Sequence, residues 1–443
     1  MKASILVLLA AYCAAQAPLR AQAVSSKTAP NIVLIISDDH GWTDYGFMRH
    51  GHVRTPHIDK LAGEGLLYTR GYVPSSLCRP SLASIMTGLY PHQHGITAND
   101  PQGDARDPSN RERMVKIFEK SKTLAGMLAT KGYVSLQTGK WWEGQCTCGG
   151  FTECMTHGDV KRGGRHGDDG LKIGRQTMQP ILDFIDRAGN KPFFLWYAPM
   201  MPHTPHNPPD RLLARYRDAG LPLAVAKYYA MIEWFDETVG ALLGHIETRG
   251  LTRNTLVVYL ADNGWAQPED VRPLHATRAK MSPYDAGLRT PIIVRMPGRV
   301  PVAREDAVPV SSIDIAPTVL ATAGLRKPAE MPGLDLTKRQ ALAKRGKVFG
   351  AIFSHTGVDV NSPVSNLKYR WVIEGRWKLI LPFDRNRDLR LWEGQPETAW
   401  SDTPELFDLQ SDPKEQTNVF SKQQEIADRL KHSLNRWWNQ DLH

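Results

Sequence analysis

A cysteine at the start of a predicted helix is the residue of this chain best suited to act as a nucleophile. The segment from Cys78 to Gly88 reads CRPSLASIMTG. Pro80 is typical of a first helical turn, and the apolar residues that follow repeat at helical spacing. Cys78 would therefore lie beside unpaired backbone N–H groups and the positive end of the helix dipole, which stabilise an anion. Because free cysteine is also a common core residue, position alone leaves a buried structural cysteine equally open.

Two pairs of adjacent oxygen donors also follow apolar runs of the sequence. Asp38 and Asp39 follow the first such run after the N-terminal segment, and Asp262 and Asn263 follow a later one. Each pair alone is explained equally well as a helix cap or a turn. At two strand ends of one sheet, the pairs would form an all-oxygen ligand set. Such a set suits Ca²⁺ first and Mg²⁺ second, whereas asparagine is a poor zinc ligand.

Four continuous apolar runs predict the buried strands that must position these residues. They are 31–36, 133–137, 193–197 and 255–261, and each ends in polar or charged residues. An open parallel sheet builds its site at the carboxyl ends of its strands, and helical segments such as 210–247 lie between the runs. The pattern therefore predicts an α/β fold with a mostly parallel sheet flanked by helices.

The C-terminal part of the chain has a different sequence pattern. Short strand patterns joined by turns begin at residue 369, and a final helix is predicted from about 423 to 438. We therefore expect a main α/β domain over residues 30–345 and a smaller antiparallel subdomain with a terminal helix over residues 346–443.

Length and composition are those of an ordinary globular protein, with 443 residues, of which 41% are hydrophobic and 23% charged. The net charge of +9 is spread over many segments. A weak preference for anionic substrates and a merely basic surface are therefore equally open, and nucleic acid is not an expected partner.

Residues 1–23 are predicted to be a signal peptide, because a short apolar run follows Lys2 and Ala21-Gln22-Ala23 is a small-x-small cleavage pattern. The run is too short to span a bilayer, so we expect a periplasmic or extracellular protein without a transmembrane anchor. In an oxidising compartment, the cluster formed by Cys146, Cys148 and Cys154 predicts one disulfide and one free thiol, with the pairing left open.

The helix segment resembles the signature of the type I sulfatases of the alkaline phosphatase superfamily. The resemblance is carried by Cys78, Pro80, Ser81 and the Thr87-Gly88 pair. In that family a maturation enzyme oxidises the cysteine to formylglycine, and the positions that match the two oxygen-donor pairs bind calcium beside it. The resemblance therefore implies that Cys78 supplies the nucleophile and also lies at the metal.

Two lysines and a histidine fall in further motifs of this family. Lys140 follows Thr138-Gly139 and resembles the sulfate-contacting lysine, and Lys280 precedes an Asp-Ala-Gly sequence and resembles the second lysine. Fixed cations lower the barrier as negative charge gathers on the sulfate oxygens. His203 resembles the histidine that assists departure of the leaving alcohol, and His206 is the second candidate for that role.

Two positions depart from the family pattern. Leu82 stands where the family has an arginine, and Trp142 stands where it has a histidine. We expect Arg79, nearly one helical turn before Leu82, to reach the same anion. At position 142, two interpretations of the nearby glycine-rich loop are equally open. The loop delivers Arg165 or His166 to the site, or it is merely solvated.

Taken with the resemblance, these residues imply a calcium-dependent sulfatase that hydrolyses the sulfate ester of a carbohydrate. One alternative keeps the fold and hydrolyses phosphodiesters or phosphonate esters. Another is a non-catalytic protein that binds sulfated glycans. The changes at positions 82 and 142 favour the non-catalytic protein, whereas Cys78, both donor pairs and both lysines oppose it.

Overall fold

The structure is a computed structural model that describes residues 29–104, 107–270, 275–386 and 400–438. The predicted signal peptide, residues 1–23, lies outside the described residues. Among the described residues, no helix combines the length and apolar character that a membrane span requires.

The described residues form one large sheet of nine strands and one small sheet of four. The strands of the large sheet are β1 Asn31–Ser37, β2 Leu66–Tyr72, β3 Val134–Gly139, β4 Glu153–Cys154, β5 Phe193–Ala198, β6 Thr255–Ala261, β7 Arg289–Arg295, β8 Ala303–Glu305 and β9 Val310–Ser311. Their order is β4-β3-β5-β1-β6-β7-β2-β8, and β9 pairs with β2. The four strands predicted from apolar runs, β3, β5, β1 and β6, are adjacent and parallel. This arrangement confirms the predicted fold class.

Helices cover both faces of the large sheet. Their bounds are α1 Pro56–Gly63, α2 Cys78–Thr87, α3 Pro91–His94, α4 Pro108–Phe118, α5 Leu124–Ala129, α6 Gln179–Ala188, α7 Asp210–Asp218, α8 Leu223–Thr248, α9 Asp285–Leu288, α10 Ile315–Thr322, α11 Arg339–Arg345 and α12 Gln424–Trp437. The predicted helical segment 210–247 is two helices, because Gly220 adopts a left-handed φ of 77° and Pro222 precedes α8.

The alternation of side chains along β1 explains the three layers. Ile32, Leu34 and Ile36 pack into one core with α2, α5 and α10. Val33 and Ile35 point to the opposite face and pack with α1, α6 and α8. A strand that is buried on both faces has no polar face, and this is why it reads as a continuous apolar run.

Strand register brings the polar residues at the strand ends together. Ser37 of β1 pairs with Ala261 of β6, so Asp38 and Asp262 leave the sheet side by side. On the other side of the site, Gly139 of β3 pairs with Ala198 of β5, and Lys140 follows directly.

The small sheet follows the large one in sequence and is antiparallel, as predicted. Its strands are β10 Lys347–Phe353, β11 Leu367–Glu374, β12 Trp377–Pro382 and β13 Glu405–Asp408. Helix α12 packs on it through Leu430 and Leu434, which contact Val372 and Leu379 in one apolar cluster. The domain boundary at residues 345 and 346 stays a prediction.

A buried ionic triad ties the small sheet to the segment that carries Lys280. Lys378 of β12 lies 2.9 Å from Asp285 Oδ1 and 2.7 Å from Glu415 Oε1. Asp285 is the first residue of α9 and also donates its backbone N–H to Glu415. Because a buried charge without its partner is strongly destabilising, the triad fixes α9 against the small sheet.

Gly139 is required by the close approach of two strand ends. It has a φ of 76°, and a Cβ atom there would lie 2.0 Å from the carbonyl oxygen of Ala198. Gly132, two residues before the start of β3, has the same φ of 76° but nothing within 4 Å of the Cβ position. Substituting each glycine in turn therefore distinguishes the cost of a left-handed backbone from the cost of a steric clash.

We predict that Gly139→Ala destabilises the fold by about 1–3 kcal/mol more than Gly132→Ala, because only the first adds a backbone clash to the cost of the left-handed conformation. Equilibrium urea denaturation of both variants measures the difference. Equal losses of unfolding free energy in the two variants would contradict the steric explanation.

Candidate active site

The two oxygen-donor pairs meet at the carboxyl ends of β1 and β6. Asp39 donates its backbone N–H to Asp262 Oδ1 at 3.2 Å, and Asn263 Nδ2 donates to Asp39 Oδ1 at 2.7 Å. Together with Asp38, these residues are at most 2% exposed. We call Asp38, Asp39, Asp262 and Asn263 the carboxylate cluster.

Two buried lysines face this cluster. Lys140 Nζ lies 2.9 Å from Asp38 Oδ1 and 2.7 Å from its Oδ2. Lys280 Nζ lies 2.6 Å from Asp39 Oδ1 and 2.8 Å from its Oδ2. Burial alone would lower the pKa of Lys140, but the neighbouring carboxylates, Asp38 foremost, outweigh it and raise that pKa well above its ordinary value. Both lysines are therefore fixed cations.

The cluster carries more negative charge than the lysines neutralise. Burial, followed by the charge of Asp38, raises the pKa of Asp262 well above its ordinary range. Asp262 Oδ2 and Asn263 Oδ1 are buried and have no hydrogen-bond donor among the described residues. Buried oxygens that lack a donor are costly, and carboxylate and amide oxygens are the ligands that hard divalent cations prefer. The donor set therefore fits a divalent cation.

Cys78 is the first residue of α2, as the sequence predicted, and is 1% exposed. Its Sγ belongs to a group of potential ligand atoms, from Asp38, Asp39, Cys78 and His203, that all lie within 4.8 Å of one another. Burial raises the pKa of the Cys78 thiol to about 12. An unmodified thiol here would stay protonated near neutral pH and would be a weak nucleophile.

Arg79 does not reach this cluster, contrary to the expectation from its position on α2. Its Nε and Nη2 donate to the two carboxylate oxygens of Glu143 at 2.8 and 2.6 Å, and both side chains are buried. Its Nη1 donates to the backbone oxygen of Asn99. The guanidinium is therefore engaged in a bidentate ion pair, which joins α2 to the segment after Lys140.

His203 lies at the edge of the carboxylate cluster. Its Nε2 is 3.4 Å from Asp39 Oδ2, and its Nδ1 is 2.7 Å from the carbonyl oxygen of Thr204. A carbonyl only accepts hydrogen bonds, so Nδ1 carries a proton and Nε2 is the nitrogen that faces the site. Burial lowers the pKa of His203.

The other candidate histidine lies farther along the same segment. The ring of His206 packs near Tyr228 and Trp265, and burial lowers its pKa to about 4. It does not join the group of potential ligand atoms that contains His203. The Arg175 guanidinium, which the sequence did not single out, donates to the carbonyl oxygens of Met200 and His203 and so holds this segment in place.

The glycine-rich loop lies against Trp142, the position at which the family pattern has a histidine. The His166 ring is 5.2 Å from the Trp142 ring, and the Arg165 guanidinium is 5.1 Å from it. The backbone N–H of Trp141 donates to the carbonyl oxygen of His166 at 3.2 Å, so His166 lies beside Lys140, and burial, followed by the charge of Lys140, lowers the pKa of His166 to about 3. Arg165 is instead paired with Asp100, whose Oδ1 is 3.0 Å from its Nε.

The cysteine cluster after Trp142 forms one disulfide, between Cys146 and Cys154, and Cys148 has a free thiol. This confirms the prediction of one disulfide and one free cysteine and supplies the pairing that the sequence left open.

No sequence pattern indicates the partners of Arg79 and Arg165. Glu143 and Asp100 are 64 and 65 residues away from them. Such pairings follow from tertiary packing and have no local pattern. Glu143 follows Lys140 by three residues, and this spacing is a local indication that its carboxylate lies near the site.

The family models and known proteins that match this chain are sulfatases. The sulfatase family model matches residues 30–325, more than half of the chain, and the model of the N-sulphoglucosamine sulphohydrolase C-terminal region matches residues 275–440. The chain is 30% identical over 362 residues to N-acetylgalactosamine-6-sulfatase of Canis lupus familiaris, a match that covers 71% of this chain and 66% of that protein. It is 27% identical over 468 residues to arylsulfatase A of Bos taurus, covering 92% and 86% of the two chains.

Among solved structures, the fold is similar to that of a protein in complex with its substrate, D-glucosamine-2-N,6-O-disulfate. The TM-score is 0.69 at 20% identity, and the match covers 93% of this chain and 99% of the other. At this identity, the likeness shows the fold alone. The chain spans 66% of the length of the canine N-acetylgalactosamine-6-sulfatase.

Proposed function

The chain belongs to the sulfatase family, and from this premise we propose that it hydrolyses a sulfate ester. In this proposal, residue 78 acts in its formylglycine form, and a calcium ion is held by the carboxylate cluster. The supporting observation is the convergence of Cys78 with that cluster, two fixed lysines and His203 within one buried site.

The proposal that residue 78 is modified rests on membership of the sulfatase family, and the buried Cys78 thiol of the metal-free site is a poor nucleophile as it stands. A thiol with a pKa of about 12 has little thiolate near neutral pH. Oxidised to an aldehyde and hydrated, residue 78 would supply a hydroxyl group for attack on sulfur. We propose a formylglycine-generating maturation enzyme as the partner that carries out this oxidation.

The donor set of the carboxylate cluster suits Ca²⁺ better than Mg²⁺, because it offers oxygens from four side chains, whereas Mg²⁺ usually keeps several waters and binds through one or two carboxylates. A bound Ca²⁺ would neutralise the carboxylates and polarise a sulfate oxygen. We propose Asp38, Asp39, Asp262 and Asn263 as its main ligands. Residue 78 would complete the set.

Lys140 and Lys280 are proposed to stabilise the charge that develops on the sulfate oxygens. Both ammonium groups are buried and held by carboxylates, so they need little reorganisation during the reaction. His203 is proposed to protonate the leaving alcohol through Nε2 in its imidazolium form, which carries a proton on both nitrogens: the Thr204 carbonyl holds the Nδ1 proton, and the charges of Asp38 and Asp39 favour the second proton against burial. His166, whose carbonyl oxygen accepts the backbone N–H of Trp141 next to Lys140, is proposed to contact the substrate. Arg165 is proposed to contact it from the rim.

A sulfated carbohydrate is the proposed substrate class. The canine relative is named for N-acetylgalactosamine 6-sulfate, and the similar solved structure contains a disulfated glucosamine. A periplasmic or extracellular location is proposed, because the Cys146–Cys154 disulfide is typical of an oxidising compartment. We also propose residues 30–345 as the catalytic domain and residues 346–443 as the C-terminal subdomain.

The reaction class is tested with full-length protein made in a host that forms formylglycine. The substrates are 4-nitrophenyl sulfate, N-acetylgalactosamine 6-sulfate and bis(4-nitrophenyl) phosphate. We expect turnover of the sulfate esters, little turnover of the phosphodiester, and none by Cys78→Ala. Preferred phosphodiester turnover would overturn the proposal in favour of the first alternative. Glycan binding without turnover would favour the non-catalytic protein.

We predict that His203→Ala slows hydrolysis of N-acetylgalactosamine 6-sulfate by roughly 10²- to 10⁴-fold, the usual contribution of a general acid. The loss of kcat with 4-nitrophenyl sulfate should be much smaller, because nitrophenolate leaves without protonation. His206→Ala is the matched control and should affect both substrates equally. Equal losses on both substrates in His203→Ala would show that His203 is not the general acid.

We predict that Ca²⁺ raises the midpoint of thermal unfolding and that chelation lowers it, since a ligand at 100 times its Kd stabilises a fold by about 2.7 kcal/mol. Asp262→Asn should abolish the effect of Ca²⁺ without lowering the stability of the metal-free protein, because it removes a crowded buried carboxylate. Asp169→Asn is the control, in a separate acidic group with His157 and Asp168. Loss of the Ca²⁺ effect in Asp169→Asn alone would place the ion there instead.

A further inference from the structure

His203 lies in a stretch of chain without regular secondary structure. Residues 199–209, which connect β5 to α7, contain neither a helix nor a strand. Five of these eleven residues are proline, which has no backbone N–H to donate. We call residues 199–209 the histidine segment. Because the segment has no hydrogen-bond ladder of its own, the position of His203 depends on contacts with other parts of the chain.

Arg175 makes five hydrogen bonds to the histidine segment. Its Nε and Nη2 donate to the carbonyl oxygen of Met200 at 3.1 and 2.6 Å. Nη2 also donates to the carbonyl oxygen of His203 at 2.6 Å, and Nη1 donates to that of Pro205 at 3.2 Å. Nη1 further donates to Asn207 Oδ1 at 2.6 Å. One guanidinium therefore binds the chain on both sides of His203 as well as at His203 itself.

A backbone contact holds the segment on the side of the carboxylate cluster. Asp38 donates its backbone N–H to the carbonyl oxygen of Met201 at 2.9 Å. Among the described residues, this is the one hydrogen bond that a backbone N–H outside the segment donates to residues 199–207. The remaining contacts that fix the backbone of this part of the segment are those of Arg175.

The His203 ring must move with the segment. Its Nδ1 is 2.7 Å from the carbonyl oxygen of Thr204, a partner within the segment itself. Its Nε2 is 3.4 Å from Oδ2 of Asp39, which follows β1. The distance between Nε2 and the carboxylate cluster is therefore set by where the segment lies.

Arg175 is itself anchored to the protein core. Ile173, two residues earlier, is fully buried in the same apolar cluster as Met201 of the histidine segment. Gly174 donates its backbone N–H to the carbonyl oxygen of Thr177 at 3.0 Å, which closes a tight turn around Arg175. The guanidinium thus projects from a fixed backbone toward the segment that it binds.

We propose that Arg175 is a positioning residue for the general acid, and that its hydrogen bonds to the histidine segment hold His203 Nε2 beside the carboxylate cluster. This inference rests on the role proposed for His203 in sulfate ester hydrolysis. It adds that a side chain outside the carboxylate cluster places the proton donor. Displacing a reacting group by about 1 Å can slow a reaction by roughly a hundredfold.

Kinetics of full-length Arg175→Gln protein, made in a host that forms formylglycine, test this role. With N-acetylgalactosamine 6-sulfate, kcat should fall roughly ten- to a hundredfold at unchanged KM. With 4-nitrophenyl sulfate, kcat should change little, because nitrophenolate leaves without protonation. Arg211→Gln is the matched control, since it removes an exposed guanidinium from the helix that directly follows the segment.

Three kinetic results would overturn the inference. Equal losses of kcat on both substrates would show a general structural effect. An unchanged kcat on the sugar sulfate would show that the hydrogen bonds of Arg175 do not place the acid. A raised KM with unchanged kcat would show that Arg175 binds substrate instead.

Arg175 and His203 should also behave as one unit in a double variant. Arg175→Gln combined with His203→Ala should hydrolyse N-acetylgalactosamine 6-sulfate no more slowly than His203→Ala alone, because no imidazole is left to misplace. Losses that multiply in the double variant would show that Arg175 acts by another route, and the inference would fail.

Arg175→Lys serves if Arg175→Gln fails to fold. It keeps the positive charge, but three ammonium N–H groups cannot reproduce the planar fork that binds the four acceptors. The same selective loss of kcat on the sugar sulfate is expected. Full kcat in Arg175→Lys would show that the fork is not needed.

A crystal structure of the variant that folds separates this inference from the proposed hydrolysis. We expect His203 Nε2 to be displaced from Asp39 Oδ2. A ring that stays in place would overturn the inference, whatever the activity. If the unsubstituted protein turns over neither sulfate ester, the proposed hydrolysis fails, and a displaced ring still supports Arg175 as the residue that places His203.

Discussion

The burial of three carboxylates beside two lysines is the constraint on which the site depends. Asp38, Asp39 and Asp262 are almost fully withdrawn from water, and Lys140 and Lys280 approach two of them directly. Burying charge is costly unless partners are close, so the fold must hold these groups with little freedom. Three buried carboxylates face two lysines, which leaves one negative charge without a lysine of its own, and Asp262 Oδ2 has no hydrogen-bond donor among the described residues. A divalent cation would balance that excess, and residue 78 lies beside the same atoms.

Strand register, a close glycine contact and two buried ion-pair groups hold these residues in place. Strand register sets Asp38 and Asp262 side by side, and Gly139 lets β3 end close enough to β5 for Lys140 to reach Asp38. The Arg79–Glu143 pair ties the helix that begins at Cys78 to the segment after Lys140. The lysine of β12 in the small sheet fixes α9, five residues after Lys280.

The sequence predicted those parts of the molecule that are determined by local patterns. Continuous apolar runs identified the central strands because these are buried on both faces, and the strand ends located Asp38, Asp39, Asp262 and Asn263. Strand β10, which is an edge strand of the small sheet, was not predicted, because its sequence KVFGAIF has a glycine in the middle. Arg79 was assigned wrongly because its position on the helix is local, whereas its pairing with Glu143 depends on packing between distant segments.

The chemical state of residue 78 decides whether this buried site acts as an enzyme. Mass spectrometry of the peptide that contains this residue, from protein that hydrolyses sulfate esters, tests it most directly. The account predicts the mass of formylglycine or its hydrate in place of cysteine. An unmodified thiol in protein that retains full activity would contradict it.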